Sequence, residues 1–298
     1  MSSSCAVTPA TLWRAFFVGC VLSVTAFGAV PVSAPPDLAQ IGRPAAEEAR
    51  DILEEFRKSG IPGAYFLEFE LHALPRRGAT VVYRGRFWGS RNDDGAINRV
   101  ELVDGAGKIH RLLVQNGVRP AVWRLAGEQV EQIGVAASFQ PAIPGVEITA
   151  FDLQMPFLYW PEATYEKIAR IRGRPAHAYL FRAPAAFLAQ HPNVTAARGY
   201  LDTQYLALMQ TDLIGPKNTV VKTTTLMDLK KIVDPQTGAD QWIPKSFDVR
   251  NEETRDKTRF LITGVALKQQ FPAAVFQPAS LAENIASPAP GRIVRLDR

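Results

Sequence analysis

Thiols are nearly absent from this sequence. Its two cysteines, Cys5 and Cys20, both lie near the N-terminus. A chain that has lost its leader would have no disulfide framework, no cysteine nucleophile and no cysteine-based metal site. Histidine is scarce too. His72, His110, His177 and His191 stand at no metal-ligand spacing from one another, and none occupies an HExxH context. The sequence contains no GxSxG elbow, no GxxxxGK[ST] loop and no GxGxxG turn after a strand. VDGAGK, from Val103 to Lys108, resembles a phosphate loop only superficially and reads as a hairpin turn. Acid pairs occur at Asp93-Asp94, Glu252-Glu253 and Glu68/Glu70, but nothing selects two catalytic carboxylates from 29 acids. The sequence therefore reads as a non-enzyme, with no catalytic residue, cofactor or metal site.

No single sign of charge dominates. The net charge is +5, and the basic clusters Arg170-Arg172-Arg174 and Lys230-Lys231 have acidic or apolar neighbours. This fits a solvated surface better than a nucleic-acid-binding face. Charge is almost missing at the N-terminus, where Arg14 is the only charged residue before Asp37. Behind it runs AFFVGCVLSVTAFGAV, of the length of a signal-peptide core and short for a bilayer span. Residues 1–29 are read as a signal peptide for export to the periplasm, cut near Gly28-Ala29. An uncleaved inner-membrane anchor is the alternative. Cys20 is disfavoured as a lipidation site because too few apolar residues separate it from Arg14.

Beyond this leader the chain shows regular patterning. Residues 30–44 form a Pro-rich linker. In AAEEARDILEEFRKSG, Ala46, Ala49, Ile52, Leu53 and Phe56 recur at helical spacing, acids come early, Arg57 and Lys58 come late, and Gly60 stops the pattern. The period then changes to alternation. AYFLEFELHAL places Tyr65, Leu67, Phe69 and Leu71 on one face, and ATVVYRGRFWG places Val81, Tyr83 and Phe87 opposite Arg84 and Arg86. Short strand-like runs continue from there, separated by Asp94-Gly95, Asp104-Gly105 and Asn116-Gly117, which argues for an antiparallel meander. The count reaches roughly ten to twelve strands, more than one open sheet usually holds without curling. A single domain is expected over 45–282, with a disordered tail over 283–298.

One stretch interrupts the alternation: TAFDLQMPFLYWPEATYE, Thr149–Glu166. Thr149 and Asp152 form a capping box, so a short helix is expected with Phe151, Met155 and Leu158 in one stripe. Pro156 would kink it and Pro161 would end it. The stretch is either a plug that closes the core or a lid over an apolar cavity.

The order of elements, with RIRGRPAHAYLFRAP, GYLDTQYLALMQTDL, KTTTLMDLKKI, QWIPKSFDVR, TRFLITGVAL and FPAAVFQPASL, resembles the LolA-like outer-membrane lipoprotein-sorting proteins. The resemblance implies a mainly β fold: a half-open, strongly curved antiparallel β-barrel with an N-terminal helix and a short helical lid. It also implies a periplasmic, non-enzymatic carrier of lipoprotein acyl chains or another lipid, acting towards the outer membrane. Its partners would be an inner-membrane transporter and an outer-membrane acceptor, with no nucleic acid, and the chain is read as a monomer. Candidate cavity and lid residues are Leu67, Phe69, Val81, Tyr83, Phe87, Phe151, Leu153, Met155, Phe157, Leu158 and Trp160. Two rival readings are an envelope interaction or sensor module on the same fold, which predicts a filled barrel and an exposed apolar patch, and a hydrolase.

Overall fold

A computed structural model describes residues 42–233, 238 and 240–297; the expected signal peptide and most of the linker lie outside these residues. The expected helix forms as α1, Ala46–Lys58, with Ala49 and Leu53 buried. Glu48 accepts a hydrogen bond from the Ala45 amide at its start, and the Ser59 amide closes its end on the Glu55 and Phe56 carbonyls.

The remainder is a fourteen-stranded, strongly curled, unclosed sheet, mostly antiparallel. The first meander comprises β1 (Ala64–Leu74), β2 (Val81–Asn92), β3 (Gly95–Val103), β4 (Ile109–Gln115), β5 (Ala121–Ala126) and β6 (Gln129–Gln132). The second comprises β7 (Ala163–Ile171), β8 (Arg174–Arg182), β9 (Ala196–Asp202), β10 (Leu208–Ile214), β11 (Val220–Val233), β12 (Asp240–Asn251) and β13 (Lys257–Gln269). Strand β1 pairs with β13, so both meanders run outward from that seam and end at the free edges β6 and β7. A two-residue strand, β14 (Val294–Arg295), pairs with β13 at Gly264 and Val265.

Fourteen strands exceed the expected ten to twelve for local reasons. The stretch GYLDTQYLALMQTDL is two strands, not one. Asp202 accepts the Gln204 and Tyr205 amides at 2.9 Å each, and Leu206 turns to φ 52°, which reverses the chain. Strand β7 was hidden behind the aromatic run that precedes it.

Curvature has a visible cause in β2. Gly85 lies opposite Phe69 of β1, and a Cβ at Gly85 would come 2.3 Å from the Phe69 ring. The missing side chain lets that ring lie against the strand and stack on Phe260 at 4.2 Å between centroids. A bulge between Glu68 and Phe69, against β13, adds twist at the seam.

The expected hairpin turns also lean on one another. The Val118 amide donates to the Asp94 carbonyl at 2.9 Å, so the Asn116-Gly117 turn sits against the Asp94-Gly95 turn. Gly117 has φ 104°, and a Cβ there would lie 1.7 Å from the Asp94 carbonyl oxygen. Gly117→Ala is expected to cost about 2–4 kcal/mol through backbone strain and displacement of the neighbouring turn. Thermal denaturation followed by circular dichroism checks this; an unchanged Tm would contradict the contact.

The expected disordered tail is corrected by the structure, because residues 271–297 follow a defined path across the outer face of the first meander. Val275 and Ile293 pack on Phe66, Trp88 and Ala266, and Leu281 packs on Ile97 and Leu113. Beneath this strap, Arg99 is 0% exposed. It donates to the carbonyls of Ser280 (2.9 Å) and Glu283 (2.6 Å) and to Glu101 (3.2 Å). Arg111 bonds Glu101 at 3.1 Å and the Ala282 carbonyl at 2.7 Å, and Arg86 bonds Glu101 at 2.7 Å. The charges of β3 and β4 at Arg99, Glu101 and Arg111 are thus buried, and the strap's carbonyls and Glu101 take most of their donors, with the Arg99 Nε left without a partner among the described residues.

Candidate functional site

The sheet's topology dictates where the aromatic stretch must go. Free edges β6 and β7 are consecutive in sequence, so residues 133–162 have to pass from one edge of the curl to the other. They do so along the inner face. Within this connection lie α2 (Val135–Ser138) and α3 (Ala150–Gln154). Ile143, Val146 and Ile148 are buried against Leu67, Phe69, Leu102, Val114 and Ile262. Phe151, Phe157, Leu158 and Trp160 are buried against Tyr179, Phe181, Phe187 and Leu213.

The expected capping box forms. The Thr149 hydroxyl accepts the Asp152 amide at 3.2 Å, and the Asp152 carboxylate accepts the Thr149 amide at 2.9 Å. Lys222 of β11 then pins the segment, donating to Asp152 at 2.8 Å and to the Glu147 carbonyl at 2.9 Å. The kinked helix expected through residue 160 does not form. Met155 takes φ 51°, ψ 51° as the cap of α3, and a separate 3-10 turn covers Pro156–Tyr159. A residue before proline is sterically barred from continuing an α-helix, so α3 stops after one turn.

Beside this filled interior, α1 leaves a groove of about 830 Å³. One wall is the helix face carrying Ala46, Arg50, Leu53 and Arg57; the other is Tyr159, Trp160, Ala163 and Tyr165, with Tyr179 also lining it. Several hydrogen bonds anchor the helix, among them one from the Tyr159 hydroxyl to the Arg57 carbonyl at 3.3 Å. The Tyr179 hydroxyl donates to the Ala49 carbonyl at 2.7 Å, and the Arg57 Nε donates to the Leu158 carbonyl at 2.7 Å. Burial raises the Tyr165 and Tyr179 phenols above their ordinary range. Burial also lowers His177, which lies 3.3 Å from the Tyr165 hydroxyl. At neutral pH these aromatic side chains are uncharged; the lining's charge comes from Arg43, Arg50, Arg57 and Glu54, and Glu48 lies close enough to act on Tyr165, Tyr179 and His177.

The residues singled out in the sequence do not share one cavity. Leu67 and Phe69 are buried in the packing around β1, with Tyr83, Phe87 and Leu153 packed against it half-buried. Phe151, Phe157, Leu158 and Trp160 belong to the second cluster, with Met155 half-buried at its margin. Val81 is 46% exposed at the start of β2. Of the whole set, Trp160 lines the groove. Sequence reading missed Arg43, Arg50 and Arg57. Their seven-residue spacing, with Ala46, Ala49 and Leu53 between them, was the available signal, since positions seven apart share a helix face. Among the described residues no group of three or more metal-ligating side chains forms, and no helix is long and apolar enough to cross a membrane.

A half-open curl of antiparallel strands, with a connecting segment laid through it and a helix over its mouth, is a LolA-like fold. No family model and no curated protein matches the sequence. Solved structures do match. A putative outer membrane lipoprotein-sorting protein domain from Vibrio parahaemolyticus superposes with a TM-score of 0.65 at 14% identity, covering 80% of this chain and 100% of that one. A DUF1329 family protein from Desulfovibrio piger gives 0.64 at 13% identity, covering 79% and 98%. A LolA superfamily protein from Nitrosomonas europaea gives 0.58 at 11% identity, covering 77% and 97%.

Proposed function

We propose that this protein is a non-enzymatic periplasmic carrier that binds the acyl chains of a lipoprotein or another lipid and moves them towards the outer membrane. The observation that carries the reading is the groove between α1 and the Tyr159–Tyr165 wall, about 830 Å³ in volume. It falls within the range of ligand sites and opens directly onto the segment that fills the curl. A chain enters along Leu53, Trp160 and Tyr179, and displacement of the 155–160 flap deepens its seat. Each sheltered methylene contributes about 0.8 kcal/mol. Ten of them give roughly 8 kcal/mol before ordering costs, which corresponds to affinity no tighter than micromolar and permits release. An inner-membrane donor and an outer-membrane acceptor complete the route.

Ala46→Trp tests this reading. Its indole would occupy the groove from an exposed helix position, so the fold should persist while binding of a fluorescent fatty acid falls at least tenfold. Unaltered binding would remove the groove from the mechanism. A second reading has its own support: the inner face is filled, and Val81, Val82, Val103 and Ile109 stand 37–47% exposed at adjoining strand ends. An envelope interaction module on this fold would dock a protein there. Charged substitutions at Val82 and Val103 would then abolish complex formation and leave lipid binding unchanged.

A further inference from the structure

The groove has more than apolar walls. Arg50 and Arg57 lie seven residues apart on α1 and flank Leu53 on the face that looks into the groove, while Arg43 stands just before the helix. Two of these cations are already committed. Arg57 donates to the Leu158 carbonyl, pairs with Glu54 at 2.5 Å and lies 5.4 Å from the Tyr159 ring centroid. Arg43 donates to the Tyr165 carbonyl at 3.3 Å and lies 5.7 Å from the Tyr165 ring centroid. Arg50 has no hydrogen-bond or ion-pair partner among the described residues and stands between them.

We infer that the groove selects an anionic amphiphile: one alkyl chain or more carrying a phosphate or carboxylate head, with the head on Arg50 and the chain along Ala46, Leu53 and Trp160. This rests on the carrier reading and names the class of its ligand. Three arginines against two acids, Glu54 in the lining and Glu48 close enough to act on Tyr165 and Tyr179, leave the rim with a net positive charge, and Glu54 is already paired with Arg57. A guanidinium binds phosphate or carboxylate oxygens through two parallel N–H donors. Arg43 and Arg57 are held by carbonyls and rings, so they bias the local field without needing to reorganise. Arg50 is free to turn onto the head. A zwitterionic head brings its own cation to the same rim and cancels most of the gain.

The test is titration of the purified full chain with lysophosphatidylglycerol, lysophosphatidylcholine and a fatty acid of matched chain length, with inorganic phosphate as a head-only probe. The two anionic amphiphiles should bind about five- to tenfold more tightly than lysophosphatidylcholine, and the difference should shrink as salt rises. Arg50→Gln should erase the preference while retaining the chain-dependent affinity. Equal affinity for all three amphiphiles would overturn the head selection and leave the carrier reading intact. Failure of every amphiphile to bind would overturn both. Phosphate competing as well as the amphiphiles would show an anion site in which the alkyl chain plays no part, and would also overturn the inference.

Discussion

Glu101→Ala is expected to destabilise the protein by about 3–5 kcal/mol, because it leaves two buried guanidiniums without their carboxylate. Arg99 is completely buried, and the Arg111 side chain is 8% exposed. Burial lowers the Arg99 pKa from its ordinary value, and Glu101 is the main group opposing that shift. Without Glu101 only the weaker attraction of Glu283 opposes the desolvation cost. The strap carbonyls at Ser280, Ala282 and Glu283 remain, but they are neutral acceptors. Release of the strap would uncover Phe66, Trp88 and Leu113, so the loss should appear both as unfolding and as earlier cleavage. A fall in Tm of roughly 6–20 °C is expected for a domain of this size, with protease nicking near 270–285 ahead of global unfolding. Glu131→Ala is the control. Its pair with Arg124 is nearly half exposed on both sides, and its loss should move stability by no more than about 1 kcal/mol. A Tm for Glu101→Ala equal to that control would show that the buried cluster does not hold the strap.

Phe151→Ala should cost a similar amount, about 3–5 kcal/mol, for a different reason. The Phe151 ring is 1% exposed. It stacks on Phe139 at 4.3 Å and lies 5.8 Å from Phe187 and 6.0 Å from Phe157. Truncation opens a cavity where α2, α3 and the second meander meet. Lys222 and the Thr149/Asp152 box hold the start of α3 in place, so the site cannot easily collapse. The carrier reading adds a second expectation with the opposite sign. Loosening the filled segment removes part of the barrier to displacing the flap, so lipid affinity should hold or rise while stability falls. Ala46→Trp should do the reverse, losing lipid while keeping stability. If Phe151→Ala lost lipid in proportion to its stability, the segment would be core alone and not a movable flap.

Much of the architecture was legible because apolar and polar side chains alternate along the strands. AYFLEFELHAL and ATVVYRGRFWG show this plainly, and it carries through to their registry at Leu67/Phe87 and Phe69/Gly85. Helix α1 was equally plain from its charge gradient. Two features escaped for physical reasons. The strap covers arginines and a glutamate, so the burial it creates is invisible to any reading that treats charge as a surface marker. The aromatic stretch announced that something was packed around it, but its target depended on which strands formed the free edges. That ordering comes from the β1–β13 seam, a pairing between residues about 190 positions apart, which no local pattern encodes. The same dependence explains why Leu67 and Trp160, both named as candidate cavity or lid residues, lie in different clusters. The groove arginines were missed because a helix's exposed charges look alike until the neighbouring wall is in place.

Native mass spectrometry of the exported protein, isolated without detergent, would reveal whether it carries a lipid. A population heavier than the bare chain by one amphiphile is expected, released on mild activation, identified as an acyl lipid after extraction and absent from Ala46→Trp. A single species at the mass of the bare chain, unchanged after incubation with lysophosphatidylglycerol, would contradict the carrier reading.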